Sequence, residues 1–189
     1  MVPPLISEPA AVLLPDGLTA HLHSLASRAA PYEACGLLLG AFERAATGLA
    51  GQLTASRRQS GTQQASSLRV HSFAASKNIA SQPERYFEID PLLQLDLQRR
   101  TRGQALQVVG VWHSHPRGPA CPSEQDQRDA QATAFLWLIT GAEVRPRQTV
   151  QKNVNTGPQT QAFWCGAKGL SRTPLKVEAY RADTHFLAV

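Results

Sequence analysis

The sequence predicts a mixed α/β domain in which helices flank one central β-sheet. Short apolar runs typical of strands are interspersed with amphipathic helical segments, and the two kinds of element follow no strict strand–helix–strand repeat. No internal repeat or linker divides the 189 residues, and this length suffices for one sizeable core. We therefore expect a single domain over 1–189, with its core at about 13–140 and further strands and a tail over 141–189.

The first half of the chain is predicted to contain two helices separated by strands. Leu18, Leu22 and Leu25 recur at helical spacing, and a turn precedes them while a proline follows. The second helix has leucines followed by arginines and Gly103, which are typical C-terminal residues. The predicted elements are a helix within 13–31, strands at 35–42, 48–56 and 68–76, a loop at 57–67, a β-prone stretch at 84–91 and a helix at 91–103.

The second half contains the clearest strand of the sequence, the apolar run QVVGVWHSH at 107–115. A helix should begin after Ser123, because serine is a favoured N-cap and Asp126 stands at the third helical position of a capping box. The remaining predicted elements are that helix at 123–133, a buried strand at 134–141, a polar loop at 145–160 and late strands at 160–166 and 174–181.

Composition and charge exclude several classes of protein. Hydrophobic residues make up 42% of the chain and charged residues 17%, which is typical of a folded globular protein. The net charge of +5 comes from scattered basic residues without a dense cluster, so we do not expect nucleic-acid binding. No secretory signal and no apolar run of about 18 residues is visible, so we expect no membrane segment. Cys35, Cys121 and Cys165 are odd in number and lack CxxC spacing, which favours a reducing compartment and a cytoplasmic protein.

Two histidines at the end of the strand at 107–115 point to a metal site. His113 and His115 share one face of the strand, because alternate residues point to the same side. Asp126 lies in the first turn of the following helix and can reach back to them. Two imidazoles and one carboxylate leave a fourth position for water, which is the arrangement of a catalytic zinc site. Alternatively, the histidines are structural and Asp126 is only the capping partner of Ser123.

The stretch HSHPRGPACPSEQD at 113–126 resembles the JAMM motif of the MPN+ metalloproteases, His-x-His-Pro followed by Ser-x-x-Asp with ten residues between the second histidine and the aspartate. The family also has a glutamate before a buried strand, and PYEACGLLLG places Glu33 there. The stretch at 78–91 is similar to the compact prokaryotic branch, which processes ubiquitin-like sulfur carriers. The resemblance implies an MPN/JAB1, cytidine-deaminase-like fold with a central, mostly antiparallel sheet.

The resemblance also implies a set of roles in amide-bond hydrolysis. One Zn²⁺ per chain would be held by His113, His115 and Asp126, Glu33 would be the general base, and Ser123 would donate to the oxyanion. The substrate would be a ubiquitin-like protein or sulfur carrier, cut after its C-terminal Gly-Gly. Simpler interpretations remain for two of these residues, a solvated loop acid for Glu33 and a pure N-cap for Ser123. Cys121 either occupies the open zinc position as a regulatory ligand or is an ordinary loop cysteine.

Two alternatives belong to other functional classes. A non-catalytic MPN scaffold is an interaction module without the metal ligands, all of which are present in this sequence. A RadC-like domain, linked to DNA repair, carries a closely similar motif but is usually preceded by a helical DNA-binding segment. About thirty residues precede Glu33, and they contain no basic cluster.

Overall fold

The computed structural model describes residues 7–44, 66–131, 134–142 and 158–179. Within these ranges the chain forms one mixed sheet with helices on both of its faces. The strands are β1 (Ala11–Pro15), β2 (Cys35–Arg44), β3 (Ser66–Ser76), β4 (Gln107–His115), β5 (Phe135–Gly141), β6 (Gln159–Gly166), β7 (Gly169–Thr173) and β8 (Leu175–Glu178). The helices are α1 (Asp16–Ala29), α2 (Pro91–Thr101) and α3 (Glu124–Asp129). No helix in the described ranges is long and apolar enough to cross a membrane.

The eight strands lie in the order β7-β6-β5-β4-β2-β3-β1-β8. Four neighbouring pairs are antiparallel, and three are parallel, namely β1 with β3, β1 with β8, and β4 with β5. The edge strands β7 and β8 are separated by Pro174 alone, and the amide of Val12 in β1 donates to the carbonyl of Pro174 at 2.8 Å. The sheet must therefore curl until its two edges approach each other. The predicted mixed, mostly antiparallel sheet flanked by helices is confirmed.

The alternation of residues along the strands divides the core between the two faces of the sheet. The α1 face is filled by Leu18 and Leu22 from the helix together with strand residues such as Trp112. The opposite face carries Val111 and Trp137, and α2 covers part of it through Leu97. His113 and His115 point to this second face, because they share the parity of Val111.

Most predicted elements agree with the structure in type and position. The strand at 107–115 has the bounds expected from the sequence, and α1, α2, β2, β3, β5 and β6 lie at or near their predicted positions. The helix predicted over 123–133 ends at Asp129, and the late strand predicted over 174–181 ends at Glu178. The predicted strand at 48–56 and the loop at 145–157 lie outside the described residues, as does most of the loop at 57–67.

Two strands are additional to the prediction, and one β-prone stretch is not a strand. The apolar run of β1 directly precedes the helix and pairs in parallel with β3 and β8, so only distant partners define it as a strand. The short β7 likewise depends on pairing with β6. The stretch at 84–91 forms a single bridge between Asn78 and Ile89. Its backbone is held by the side chain of Asn78 and not by a neighbouring strand.

Candidate metal centre and active site

The end of β4 places the two histidines side by side on the α2–α3 face of the sheet. His113 is fully buried, and the ring of Phe87 stacks on its imidazole at a centroid distance of 4.2 Å and an angle of 16°. The ring of Trp137 meets the same imidazole edge-on at 5.8 Å. His115 is the last residue of β4 and is partly exposed to solvent. Aromatic walls thus fix the inner imidazole, while the outer one remains accessible.

Asp126 reaches both imidazoles from the first turn of α3. Its Oδ1 lies 3.3 Å from Nε2 of His113, and its Oδ2 lies 3.3 Å from Nε2 of His115. The predicted capping box orients the carboxylate, because the backbone amide and the hydroxyl of Ser123 both donate to Oδ2, at 2.6 and 2.7 Å. The capping box at the start of α3 therefore explains how Asp126, eleven positions after His115 in the sequence, contacts the imidazole of that residue.

The spacing of these donor atoms fits one metal ion with tetrahedral coordination. Bonds of about 2.0–2.1 Å in a tetrahedron separate neighbouring ligand atoms by about 3.3 Å. The two Nε2 atoms are 2.9 Å apart, and each lies 3.3 Å from an oxygen of Asp126. His113, His115 and Asp126 can therefore hold a metal through three of its four positions. The Nδ1 atom of His113 is buried and has no hydrogen-bond partner among the described residues, so the ring depends on its other nitrogen for polar contacts.

Glu33 brings a second carboxylate to the same place from the segment before β2. The nearest ligand atoms of Glu33, His113 and His115 all lie within 4.8 Å of one another. Either carboxylate is thus near enough to complete a metal site, but Asp126 is in direct contact with both imidazoles, whereas Glu33 makes no hydrogen bond to them. We therefore prefer Asp126 as the third ligand. Glu33 then lies beside the metal position, and its carboxylate is not used as a metal ligand.

The charges of the site are strongly perturbed by burial and by one another. Burial, opposed by the positive charge of His115 and aided by the negative charge of Asp126, raises the pKa of Glu33 to about 7. Burial also lowers the pKa of His113 and keeps its imidazole neutral, as a metal ligand requires. Burial alone would raise the pKa of Asp126, but hydrogen bonds with both histidines outweigh it and hold that pKa well below its usual range. Asp126 remains ionised, while Glu33 can exchange a proton near neutral pH.

A family comparison identifies this arrangement. The family model for prokaryotic homologues of the JAB domain matches residues 15–154, which include all elements from α1 to β5 and every residue of the site described above. The chain belongs to this family. The prediction of JAMM/MPN-type ancestry from the motif at 113–126 is thereby confirmed.

Curated relatives and solved structures agree with membership of the prokaryotic JAB family. The chain is 25% identical over 130 residues to the desampylase of Haloferax volcanii, a match that covers 69% of this chain and 77% of that protein. It is 33% identical over 54 residues to a probable TtuB-protein conjugate cleaving protease of Thermus thermophilus, over 29% of this chain and 36% of that protein. The chain therefore spans only about a third of the second relative.

Two solution structures show the same fold at low sequence identity. A protein from Desulfitobacterium hafniense superimposes with a TM-score of 0.64 and 23% identity, over 92% of this chain and 98% of that one. A protein from Salinibacter ruber gives a TM-score of 0.50 and 22% identity, over 91% and 94% of the respective chains. At these identities the two structures support the fold alone.

Ser123 occupies its predicted N-cap position in this JAB-family site. Its hydroxyl accepts from the amide of Asp126 at 3.1 Å and lies 2.7 Å from the carboxylate of that residue, to which it donates. The capping interpretation is therefore realised. Donation to an oxyanion stays a prediction, and it would require the hydroxyl proton to turn away from Asp126.

Cys121 is exposed in the loop between β4 and α3. The structure thus favours an ordinary loop cysteine over a zinc-blocking one, and the regulatory role stays a prediction.

The loop that contains Cys121 orients His115 through contacts that the sequence motif does not specify. The Nδ1 atom of His115 lies 3.0 Å from the carbonyl of Pro119, so the carbonyl can fix the ring and leave Nε2 for a metal. The backbone of Pro119 and Ala120 packs directly on Gly141, where a Cβ atom would overlap both residues. The amide of Ala142 adds hydrogen bonds to the carbonyls of His115 and Gly118 at 3.0 Å.

Asn78 holds Glu33 in place and is a second residue that sequence reasoning did not select. Its side-chain amide donates to the carbonyls of Glu33 and Tyr86, both at 2.9 Å. Its oxygen accepts from the amides of Ala80 and Glu88 at 3.0 Å. Asn78 thereby connects the segment at 80–88 to Glu33. The signal in the sequence was an asparagine two residues after the end of β3, in a stretch rich in turn residues.

Proposed function

We propose that this chain is a zinc-dependent peptidase that hydrolyses the amide bond after the C-terminal Gly-Gly of a ubiquitin-like protein of the sulfur-carrier class. The observation that carries the proposal is the convergence of buried Glu33 on His113 and His115, with Asp126 in contact with both imidazoles. Membership of the prokaryotic JAB family and the names of the two relatives, a desampylase and a conjugate cleaving protease, support the same chemistry.

His113, His115 and Asp126 would hold the zinc, with one ion per chain. Two imidazole nitrogens and one ionised carboxylate form a set of ligands that favours zinc over harder cations. When bound, the zinc supplies Lewis-acid activation of the attacking water and of the scissile carbonyl. The aromatic rings of Phe87 and Trp137 exclude water from the inner side of the site and keep His113 in one orientation.

Glu33 acts as the proton carrier of the reaction. Its carboxylate lies within reach of the metal position, and burial raises its pKa above the usual range of a glutamate, which favours uptake of a proton from the attacking water. The same proton then passes to the amine as the C–N bond breaks. An ordinary exposed glutamate would be a weaker base for this step, because its pKa lies far below the working pH.

Ser123 is positioned to assist at the carbonyl oxygen. Its side chain borders the same cleft as Glu33 and His115. If its hydroxyl proton turns from Asp126 toward the substrate, it stabilises the negative charge that develops on that oxygen. The amide of Asp126 would keep its hydrogen bond to the serine oxygen during this rotation.

The test is intact-mass spectrometry of a ubiquitin-fold sulfur carrier extended beyond its Gly-Gly end. The zinc-loaded wild type should release the extension, while Glu33→Gln and the chelated protein should not. Glu124→Gln provides a matched control, since it removes an exposed carboxylate in the first turn of α3 and should retain activity. Absence of cleavage by zinc-loaded protein would contradict the proposed substrate. Absence of both zinc and cleavage would favour the non-catalytic scaffold.

A further inference from the structure

Two clefts border the candidate active site, and they differ in chemical character. The larger, of about 640 Å³, is lined mainly by apolar side chains, which include Leu37, Phe87, Ile89, Val111, Phe135 and Trp137. The smaller, of about 440 Å³, contains Glu33, His115 and Ser123 of the site itself, and its other lining residues include Arg85 and Arg117. The two clefts are neighbours, because Tyr86 lines both of them.

A peptide substrate must extend in both directions from the scissile amide. The acyl part lies on one side of the catalytic groups, and the amine part that is released lies on the other. The larger cleft offers an apolar surface, whereas the smaller one has two arginines among its lining residues, together with Glu33, His115 and Ser123. Arginine side chains that line a cleft suit whichever part of the substrate ends in a negative charge.

The two arginines of the small cleft are free to bind a ligand. Among the residues that the structure describes, neither Arg85 nor Arg117 forms an ion pair, and neither side chain is engaged in a hydrogen bond. Both are exposed. By contrast, Arg69, Arg100 and Arg128 each pair with an acid on the protein surface. Glu84 also lines the small cleft, so its removal should strengthen the binding of an anion there.

We propose, resting on the function proposed above, that Arg85 and Arg117 bind the free α-carboxylate of a short C-terminal extension beyond Gly-Gly. The preferred substrate is then a linear carrier precursor that ends one or a few residues after the cut. Hydrolysis breaks its amide C–N bond, adds the water oxygen to the glycine carbonyl carbon, and passes a proton through Glu33 to the new amino group. The released amino acid or peptide leaves with its carboxylate.

Three physical features support this assignment. The α-carboxylate is the one charge that every linear extension carries, whatever its side chains. Guanidinium groups match a carboxylate with two parallel hydrogen bonds, which gives direction as well as attraction. The cleft volume of about 440 Å³ lies in the range of small-ligand sites, roughly 300–1,000 Å³, so it suits a short peptide end and not a folded leaving group.

The experiment compares two substrates that differ only in terminal charge. A ubiquitin-fold sulfur carrier is extended beyond Gly-Gly by a dipeptide that ends in a free carboxylate or in a carboxamide. Initial rates with zinc-loaded wild type give kcat and KM for each by mass spectrometry. We expect a KM about tenfold higher for the carboxamide, at similar kcat, since a charge-assisted contact of this kind is worth about a factor of ten in affinity.

Arginine variants assign the effect to the cleft. The double variant R85Q/R117Q should cleave both substrates with the high KM of the carboxamide, and Glu84→Gln should lower KM for the free acid alone. Arg99→Gln removes an exposed arginine at the end of α2 and should keep the wild-type preference. A preference that persists in the double variant would overturn the assignment of these arginines.

The outcomes separate this inference from the function on which it rests. Equal KM values for acid and carboxamide in an active wild type would overturn the carboxylate site and leave the peptidase intact. Cleavage of neither substrate by zinc-loaded protein would overturn both. The zinc content of every protein sample is measured by atomic emission, so that only metal-loaded enzyme is compared.

Discussion

The substitution Asn78→Asp tests whether the segment at 80–88 is held on Glu33 by one side chain. Asn78 donates two hydrogen bonds, to the carbonyls of Glu33 and Tyr86, and accepts two, from the amides of Ala80 and Glu88. An ionised aspartate of the same shape can only accept. The substitution therefore keeps the two accepting bonds, removes the two donating ones, and places a negative charge against two carbonyl oxygens.

The magnitude follows from the two lost bonds. Each contributes about 0.5–1.5 kcal/mol, so the free energy of unfolding should fall by about 2 kcal/mol. For a domain of this size that corresponds to a decrease in Tm of about 6 °C, at about 2–4 °C per kcal/mol. The catalytic effect should be larger than the loss of stability suggests, because the carbonyl of Glu33 is one of the released acceptors. We expect kcat to fall about tenfold or more, with a smaller change in KM.

The assay combines thermal unfolding, followed by circular dichroism, with cleavage kinetics on the extended carrier. Gln104→Glu is the matched control, since it makes the same amide-to-carboxylate change on an exposed side chain in the turn after α2. An Asn78→Asp protein with wild-type Tm and wild-type kcat would refute the idea that Asn78 positions Glu33. A lower Tm with unchanged kcat would show that Asn78 supports the fold without orienting the base.

Three further predictions concern the metal ligands, the catalytic base and the loop thiol. Gly141→Ala should weaken zinc binding about 10- to 100-fold, measured in competition with a chromogenic chelator. The added Cβ would displace the backbone at Pro119, whose carbonyl orients His115. Gly118→Ala is the control, because its Cβ has space and zinc binding should be unchanged. In the metal-free protein, burial raises the pKa of Glu33 from 4.5 to about 7, so the folded state holds a proton that the unfolded state releases, and stability should fall as pH rises through this window. Glu33→Gln should remove about 2 kcal/mol of that fall in urea titrations, and an identical pH dependence in both proteins would contradict the burial argument. Ellman's reagent should modify Cys121 alone in the native protein and all three thiols in denaturant, because the other two cysteines are buried; a second fast thiol would show that the core opens.

Local sequence patterns specified the half of the site that lies between β4 and α3. The alternation of a strand places His113 and His115 on one face, and this holds whatever the rest of the chain does. The capping box between Ser123 and Asp126 is likewise a local rule, and the structure contains both of its hydrogen bonds. The two histidines and the capping box are close in sequence, so the single loop between β4 and α3 brings them together. These residues could therefore be assigned from the motif and its spacing.

The tertiary structure decided what surrounds that motif. Glu33 meets the histidines because β2 pairs with β4, with Cys35 opposite His113, although 80 residues separate Glu33 from His113 along the chain. The side chain of Asn78 binds the backbone carbonyl of Glu33, and Gly141 leaves room for the backbone of Pro119 and Ala120. Contacts to backbone atoms leave no side-chain pattern in a sequence. The edge strands and the two clefts depend in the same way on which distant segments become neighbours. The sequence determined the chemistry of the candidate ligands, since ligand type and strand parity are local. The placement of Glu33 and of the arginines depended on the tertiary structure, because it brings segments that are distant in sequence together.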